Sequence, residues 1–344
     1  MTIKILIVDD SYFFRKRLCE LFDDHPDITV VATAENGEDA LAKVARFRPD
    51  LITMDHEMPV MDGVTAVRQI MKHYPTPILM ISALTYKGAS ITLEALEAGA
   101  LDFVAKLGVD GSNPFLDKKF LCEQVLQLVA NVQVRRSEKP ASYPQAYHHE
   151  NSLLDGVQLV VIGASTGGPV AVQDLLCKLP KNFPIPIVVA IHMPENFTQA
   201  YANRLARICY IDVKEAENGD PLIAGQALIA PGGKLLKITK NGANGHVRVE
   251  PKNSVFNFAP SVDYLFQTAG DSFGEKVLAI VLTGMGSDGC DGAKKLRANN
   301  AIVWAQDKES SVIHGMPGMI EKAKLANQIM NIDEMFLGLK SLNG

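Results

Sequence analysis

Ser165 lies in Gly163-Ala164-Ser165-Thr166-Gly167-Gly168, a glycine-flanked turn between an apolar strand pattern and a helical one. The spacing fits G-x-S-x-G, in which glycines let a tight turn present a serine oxygen to a reactive carbonyl. Alone the pattern is weak, because a glycine-rich strand-to-helix turn also suits phosphate through the amide donors of a helix N-terminus. Neither G-x-G-x-x-G nor G-x-x-x-x-G-K-S/T occurs, which removes the main support for a dinucleotide or Walker-type site. A serine nucleophile needs a base, and the base needs an orienting acid. His192 follows the apolar run 186–191, and Asp288 lies in Thr283-Gly284-Met285-Gly286-Ser287-Asp288-Gly289, after the run 277–282. All three residues can therefore come from strand ends on one edge of one sheet. Their chain order is Ser, His, Asp, unlike the Ser, Asp, His order of α/β-hydrolases. His314, in Ile313-His314-Gly315-Met316-Pro317, is a competing base that spacing alone does not exclude, and Asp288 could instead cap the helix that follows it.

A second set of reactive residues lies in the first third of the chain. Asp9 and Asp10 follow the first apolar strand pattern and Asp55 follows the third, so a doubly wound sheet would bring their carboxylates together outside the strand ends. Three clustered acids repel unless a cation joins them, and oxygen ligands of this kind suit magnesium. Such a site can hold a phosphoryl donor while one carboxylate attacks phosphorus. Ser82 ends the fourth strand pattern and offers a hydroxyl, while Lys106 follows the fifth and offers a positive charge. His56, beside Asp55, is expected to face solvent; His148 and His149 are given no metal.

The elements that must position these groups are legible as two α/β patterns. Strands are expected at 4–8, 28–34, 51–54, 77–82 and 102–104, with a helix at 87–98 and a closing helix near 115–134. Residues 135–156 are polar, with two prolines and almost no aliphatic side chains, a linker composition. A second pattern then restarts, with strands at 157–162, 186–191, 226–230, 277–282 and 301–305. A β-hairpin is expected from 235–239 and 246–250 around KNGANG. The expected architecture is α/β: an N-terminal doubly wound, five-stranded parallel, flavodoxin-like domain over 1–125, a linker over 126–156, and a three-layer α/β domain over 157–344 with a mainly parallel sheet and a β-hairpin.

The stretches ILIVDDS, TMDHEMPVMDG, ILMISAL and ALDFVAK resemble the response-regulator receiver domain. Behind them GASTGGP, IHMP, PSVDYLF, LTGMGSDG and GMP, in that order, resemble the chemotaxis protein-glutamate methylesterases, the CheB family, over almost the whole chain. The resemblance implies that Asp55 is the phosphoacceptor, that Asp9, Asp10 and Asp55 bind Mg2+ with the Glu57 carbonyl, and that Ser82 and Lys106 contact the phosphoryl group. Phe103 takes the place of the switch aromatic. In the second half it makes Ser165 the nucleophile, His192 the general base and Asp288 its orienting acid, with the Met285 amide at the oxyanion and Thr166 a further contact. It implies hydrolysis of glutamate γ-methyl esters, and deamidation of glutamine, on methyl-accepting chemotaxis receptors. A chemotaxis histidine kinase would be the phosphodonor, the receiver would cover the esterase until phosphorylated, and the esterase site would hold no cofactor. Leu107 stands where the family usually has proline, Ile191 where it often has glutamine, and the sequence after His314 differs from the commoner one.

The bulk properties agree. With 344 residues, 47% of them hydrophobic and 21% charged, each half can bury an ordinary core. The longest apolar runs fall far short of the roughly 18 residues that span a bilayer, and no secretory signal opens the chain, so a cytoplasmic protein without membrane insertion is expected. Five cysteines with no C-x-x-C pair suggest reduced thiols. A net charge of −5 without a basic stripe disfavours nucleic acid as partner. Two rival readings are a response regulator whose second domain only binds a partner, and a nucleotide-binding transferase using the glycine-rich loop. A DNA-binding output is disfavoured, because the second half shows no helix-turn-helix at its end.

Overall fold

The computed structural model describes residues 2–23, 25–106, 118–137, 154, 156–242 and 244–342. Leu107 and most of the expected linker, with His148 and His149, lie outside them. The chain divides into two compact units, Met1–Pro140 and Ala141–Gly344.

In the first unit five strands, β1 (Ile3–Val8), β2 (Ile28–Ala34), β3 (Leu51–Asp55), β4 (Ile78–Ser82) and β5 (Asp102–Ala105), form an all-parallel sheet in the order β2-β1-β3-β4-β5. Helices α1 (Tyr12–Asp23), α2 (Gly37–Phe47), α3 (Gly63–His73) and α4 (Tyr86–Glu97) are the crossovers, and α5 (Lys118–Ser137) follows β5. The central strands β3 (LITMD) and β4 (ILMIS) are buried at every residue, which explains why they are mostly apolar rather than alternating, with Thr53, Asp55 and Ser82 as their buried polar members. Helix starts are local: Asn36, Asp62 and Thr85 each accept an amide of the first turn of α2, α3 and α4. The folded unit extends past the expected boundary at 125. Helix α5 is continuous to Ser137, and its buried Leu121, Cys122, Val125, Leu128 and Val129 recur at helical spacing as one apolar stripe. Residues 126–137, expected to begin the linker, therefore belong to that helix.

The second unit holds a seven-stranded, all-parallel sheet in the order β14-β13-β12-β6-β7-β9-β8. The strands are β6 (Leu159–Ala164), β7 (Ile187–Ile191), β8 (Asp212–Glu215), β9 (Gln226–Ile229), β12 (Val277–Val281), β13 (Ile302–Gln306) and β14 (Gln328–Met330). The expected hairpin, β10 (Lys234–Asn241) with β11 (Asn244–Pro251), is a separate antiparallel pair. Helices α6 (Gly168–Leu176), α7 (Glu195–Ile208), α8 (Val262–Phe273), α9 (Cys290–Ala298), α10 (Met316–Lys322) and α11 (Ile332–Ser341) complete the unit. Leu159 and Val161 of β6 join one core with Val262, Leu265, Phe266 and Leu296 of α8 and α9. The alternate residues Val160 and Ile162 are just as buried, so both faces of the sheet are covered. The edge strands β8 and β14 escaped the sequence reading because β8 is DVKE and β14 only three residues long.

Strand order reverses around β6, with β7 on one side and β12 on the other. The crevice outside the carboxyl ends at such a reversal is where open α/β sheets bind ligands. Ser165, His192 and Asp288 follow β6, β7 and β12.

Candidate active site and acidic pocket

The turn after β6 is held from two sides. The Ser165 amide donates to the Thr283 carbonyl (3.0 Å), and the Thr283 hydroxyl donates to the Thr166 carbonyl (2.9 Å). Gly167 has φ +73°, and a Cβ there would sit 2.5 Å from Val312 Cβ, so the turn needs glycine twice over. Gly284 abuts the serine closely enough that an added Cβ would come within 2.9 Å of Ser165 Cβ and 3.1 Å of its nitrogen. The glycines of GASTGG and TGMG thus bring two backbone segments together around one hydroxyl.

His192 bridges that hydroxyl and a carboxylate. Its Nδ1 lies 3.2 Å from Ser165 Oγ and its Nε2 lies 2.8 Å from Asp288 Oδ2. The ring nitrogens are used in the opposite sense to the chymotrypsin arrangement, in which Nε2 faces serine. Side-chain exposure is 5% for His192 and 6% for Asp288, so their contact is shielded from water. Phe258, in the segment before α8, stacks on the imidazole with ring centroids 4.2 Å apart and planes 12° from parallel. It was not foreseen, since a single aromatic in an irregular segment carries no periodic signal.

Asp288 is anchored by more than the histidine. Oδ2 also accepts the Val262 amide (2.8 Å), while Oδ1 accepts the Asp263 amide (2.9 Å) and the Ser261 hydroxyl (3.2 Å). These donors are the cap and first residues of α8, whose positive end adds to the attraction. Burial pushes the Asp288 carboxyl up, but the His192 hydrogen bond and charge, with the two amides, outweigh it and hold the group below its ordinary value. The anchors thus favour a carboxylate facing imidazole. The alternative in which Asp288 only caps α9 does not hold: that N-terminus is served by Asp263, whose Oδ1 accepts the Gly289 (2.9 Å) and Gly292 (2.7 Å) amides.

Burial, opposed by the Gly292 amide and reinforced by the Asp288 charge, pushes the Asp263 carboxyl up to about 6. The folded chain therefore binds this proton more tightly than the unfolded chain. The sign follows: the stability it contributes is fully present below the ordinary value of 3.8 and is lost as pH rises to about 6. Asp263→Asn keeps an oxygen acceptor for both amides, so chemical denaturation should find this decline flattened in the variant. A decline of unchanged size would assign it to another group.

His314 has other side-chain partners, although its backbone pairs with Gly284 beside the serine turn. Its Nε2 faces Glu321 Oε2 at 3.1 Å and its Nδ1 faces Ser311 Oγ at 3.5 Å, so both ring nitrogens are engaged with residues other than Ser165. Met285 and Thr166 are both buried beside the serine turn, and Ile191, in the place of the family's glutamine, is fully buried at the end of β7.

In the first unit, side-chain oxygens of Asp9, Asp10 and Asp55 lie within 4.8 Å of one another. Lys106 Nζ is 2.7 Å from Asp55 Oδ2 and 2.9 Å from Asp9 Oδ2. The second approach is an ion pair but is not aligned as a hydrogen bond, leaving Asp9 Oδ2 buried without a donor. Burial raises the Asp9 carboxyl despite Lys106. At Asp55 burial also acts upward, but His56 and Lys106 together outweigh it and hold the group down. A buried carboxylate oxygen lacking a donor, beside two further carboxylates, fits a divalent cation. Ser82 is fully buried, with Oγ 3.3 Å from the Gly88 carbonyl, and Phe103 is half-buried on β5. A shallow pocket of about 420 Å³ opens over Asp10, Asp55, Glu57 and Lys106. His56 corrects an expectation: it is 4% exposed rather than solvent-facing, with Nδ1 3.1 Å from Asp55 Oδ1. The chain leaves β3 at this residue, and its ring folds back onto the neighbouring carboxylate.

Fold and site together define a response regulator whose second unit carries a serine-hydrolase constellation. The profile of the CheB methylesterase family matches residues 160–339, and that of the response regulator receiver domain matches residues 5–110. A protein-glutamate methylesterase/protein-glutamine glutaminase of Saccharophagus degradans is 44% identical over 367 residues, covering 99% of this chain and 100% of that one. One from Pseudomonas putida is 45% identical over 365 residues, covering 97% and 98%. The crystal structure of the Thermotoga maritima CheB methylesterase catalytic domain superposes with a TM-score of 0.52 at 36% identity, covering 54% of this chain and 98% of that one. The chain belongs to the CheB methylesterase family and carries an N-terminal receiver domain. No described helix is long and apolar enough to cross a membrane.

Proposed function

We propose that the chain hydrolyses γ-methyl esters of glutamate side chains on methyl-accepting chemotaxis receptors, under control of phosphorylation at Asp55. The observation that carries the reading is the continuous relay from Ser165 through His192 to Asp288. With Nε2–H donated to Asp288, His192 Nδ1 is the basic nitrogen that takes the Ser165 proton as Oγ attacks the ester carbonyl. The Met285 amide, next to the Gly284 that abuts Ser165, supports the developing oxyanion together with the Thr166 region. His192 returns the proton to the leaving methanol, and water then releases the glutamate carboxylate from Ser165 by the same route. Deamidation of glutamine follows the same steps with ammonia leaving, and the relatives' names carry both activities. Hydrolysis by this route needs no metal or organic cofactor at the serine.

In the receiver, Asp9, Asp10 and Asp55, with the Glu57 carbonyl, would hold Mg2+, which when bound neutralises charge on the transferring phosphoryl group. An Asp55 oxygen attacks the phosphorus of a phosphohistidine on a chemotaxis kinase, the P–N bond breaks and its electron pair leaves with the kinase imidazole. Lys106 then pairs with the new phosphoryl oxygens and Ser82 donates its hydroxyl to one, while Phe103 registers the change at the domain surface. The receiver spans residue 1 to the end of α5, the esterase runs from about 157 onward, and both act in the cytoplasm.

Mass spectrometry of a methylated receptor fragment tests the esterase: each ester hydrolysed loses one CH2, and fragments left unchanged would defeat the proposal. Asp55→Asn tests the control. A small-molecule phosphodonor should raise wild-type turnover roughly 5- to 150-fold, the range of a 1–3 kcal/mol coupling, and leave the variant at its basal rate. Equal stimulation of both would separate the receiver from the esterase.

A further inference from the structure

Cys177 and Cys209 are 32 positions apart in the chain, yet their Sγ atoms lie 2.7 Å from each other. That is well inside ordinary sulfur–sulfur contact and longer than the roughly 2.05 Å of a covalent bond. Both residues are half-buried. Cys177 caps the C-terminal end of α6, its amide bonded to the Gln173 carbonyl, and Cys209 caps the C-terminal end of α7, its amide bonded to the Leu205 carbonyl. Helix α6 begins three residues after Ser165, and α7 begins three residues after His192. The two thiols therefore meet where the helices that lead away from Ser165 and His192 end. A second tie runs between the same helices nearer the site, where the buried Tyr201 hydroxyl donates to the Pro169 carbonyl at 2.7 Å.

We propose that Cys177 and Cys209 form a reversible intramolecular disulfide that clamps α6 to α7 under oxidising conditions. The pair is not part of a metal set: among the described residues the one cluster of three or more acidic, histidine or cysteine ligands is Asp9, Asp10 and Asp55. Burial, reinforced by the neighbouring Cys177, pushes the Cys209 thiol well up. Oxidation is accordingly slow, and equilibrium rather than speed reports the device. With a small disulfide as oxidant the step balances. One protein sulfur displaces a glutathione thiolate from glutathione disulfide to give a mixed disulfide. The second protein sulfur attacks that bond and releases another glutathione thiolate, and the two protons lost from the cysteines protonate the leaving thiolates. Both electrons removed from the protein end on glutathione. The second displacement costs little ordering, because the sulfurs are already together.

The full chain, equilibrated in mixtures of glutathione and its disulfide, then alkylated and digested, should yield one cross-linked peptide joining Cys177 to Cys209. Its fraction should rise with the oxidised fraction, while Cys19, Cys122 and Cys290 remain alkylated. Cys209→Ser should abolish it without changing basal esterase activity. The oxidised wild type should melt several degrees higher than the reduced form, with no such gain in Cys209→Ser. Cys177 and Cys209 recovered as alkylated thiols, or as separate glutathione adducts, in glutathione disulfide alone would overturn the proposal. A cross-link without a rise in Tm would overturn the clamp.

Discussion

Ser165→Ala should lower methyl-ester turnover by about 10,000-fold to a million-fold while the protein still folds. The substitution removes the oxygen that His192 Nδ1 faces at 3.2 Å and that would bond the substrate carbonyl. Substrate binding and the oxyanion amides survive the change, which is why the residual rate should still exceed that of water. The turn does not depend on the hydroxyl, being held by the Ser165 amide on Thr283 and by the Thr283 hydroxyl on the Thr166 carbonyl. Losing one partly buried hydrogen bond costs on the order of 1 kcal/mol, a shift of about 2–4 °C in a domain of this size. Turnover measured beside thermal melting separates the two effects. Activity within tenfold of wild type would remove Ser165 from the chemistry, and a collapse of the melting transition would make the turn's structure the cause.

Asp288→Asn should cost about 10,000-fold, roughly 5.5 kcal/mol of barrier, by inverting the imidazole tautomer. Asp288 is wholly an acceptor: four groups aim donors at its two oxygens, namely His192 Nε2, the Val262 and Asp263 amides and the Ser261 hydroxyl. Asparagine replaces one oxygen with an NH2 group, so a donor faces a donor whichever way the amide turns. The best compromise points NH2 at His192, which moves the ring proton to Nδ1. That proton then faces Ser165 Oγ, and the histidine cannot accept from it. Melting should fall as well, since one backbone amide of α8 loses a charged acceptor. Full activity in this variant would show that Asp288 serves only to anchor the helix.

Much of this was readable from residue order because parallel sheets write themselves plainly. Central strands such as β3, β6 and β12 are buried on both faces and appear as mostly apolar runs, and polar residues at or soon after the end of each run then lie at one edge of the sheet. Asp55 closes β3, Ser165 follows β6 and His192 follows β7 at once, whereas Asp288 lies seven residues beyond β12, in the glycine-rich loop. What was missed lies where burial and local pattern part company. Strand β8 is held in the sheet by ladder pairing with β9 through the polar sequence DVKE, which carries no hydrophobic period. His56 is polar and follows a strand end, yet it is buried by folding back onto Asp55. Phe258 reaches His192 from an irregular segment, and the α9 cap, which Asp288 offered as an alternative role, is taken by Asp263. Long-range side-chain choices of this kind leave no trace in spacing. The competing base His314 could be set aside only when its ring was seen to face Glu321.

The central claim is that one chain joins a serine esterase to a phosphoryl switch, and the rate of methanol release from methylated receptor membranes addresses both halves together. Release should rise when a small-molecule phosphodonor and Mg2+ are added, and the rise should vanish when Mg2+ is chelated. Release that ignored the phosphodonor, or no release from any methylated receptor with the phosphodonor present, would contradict the account.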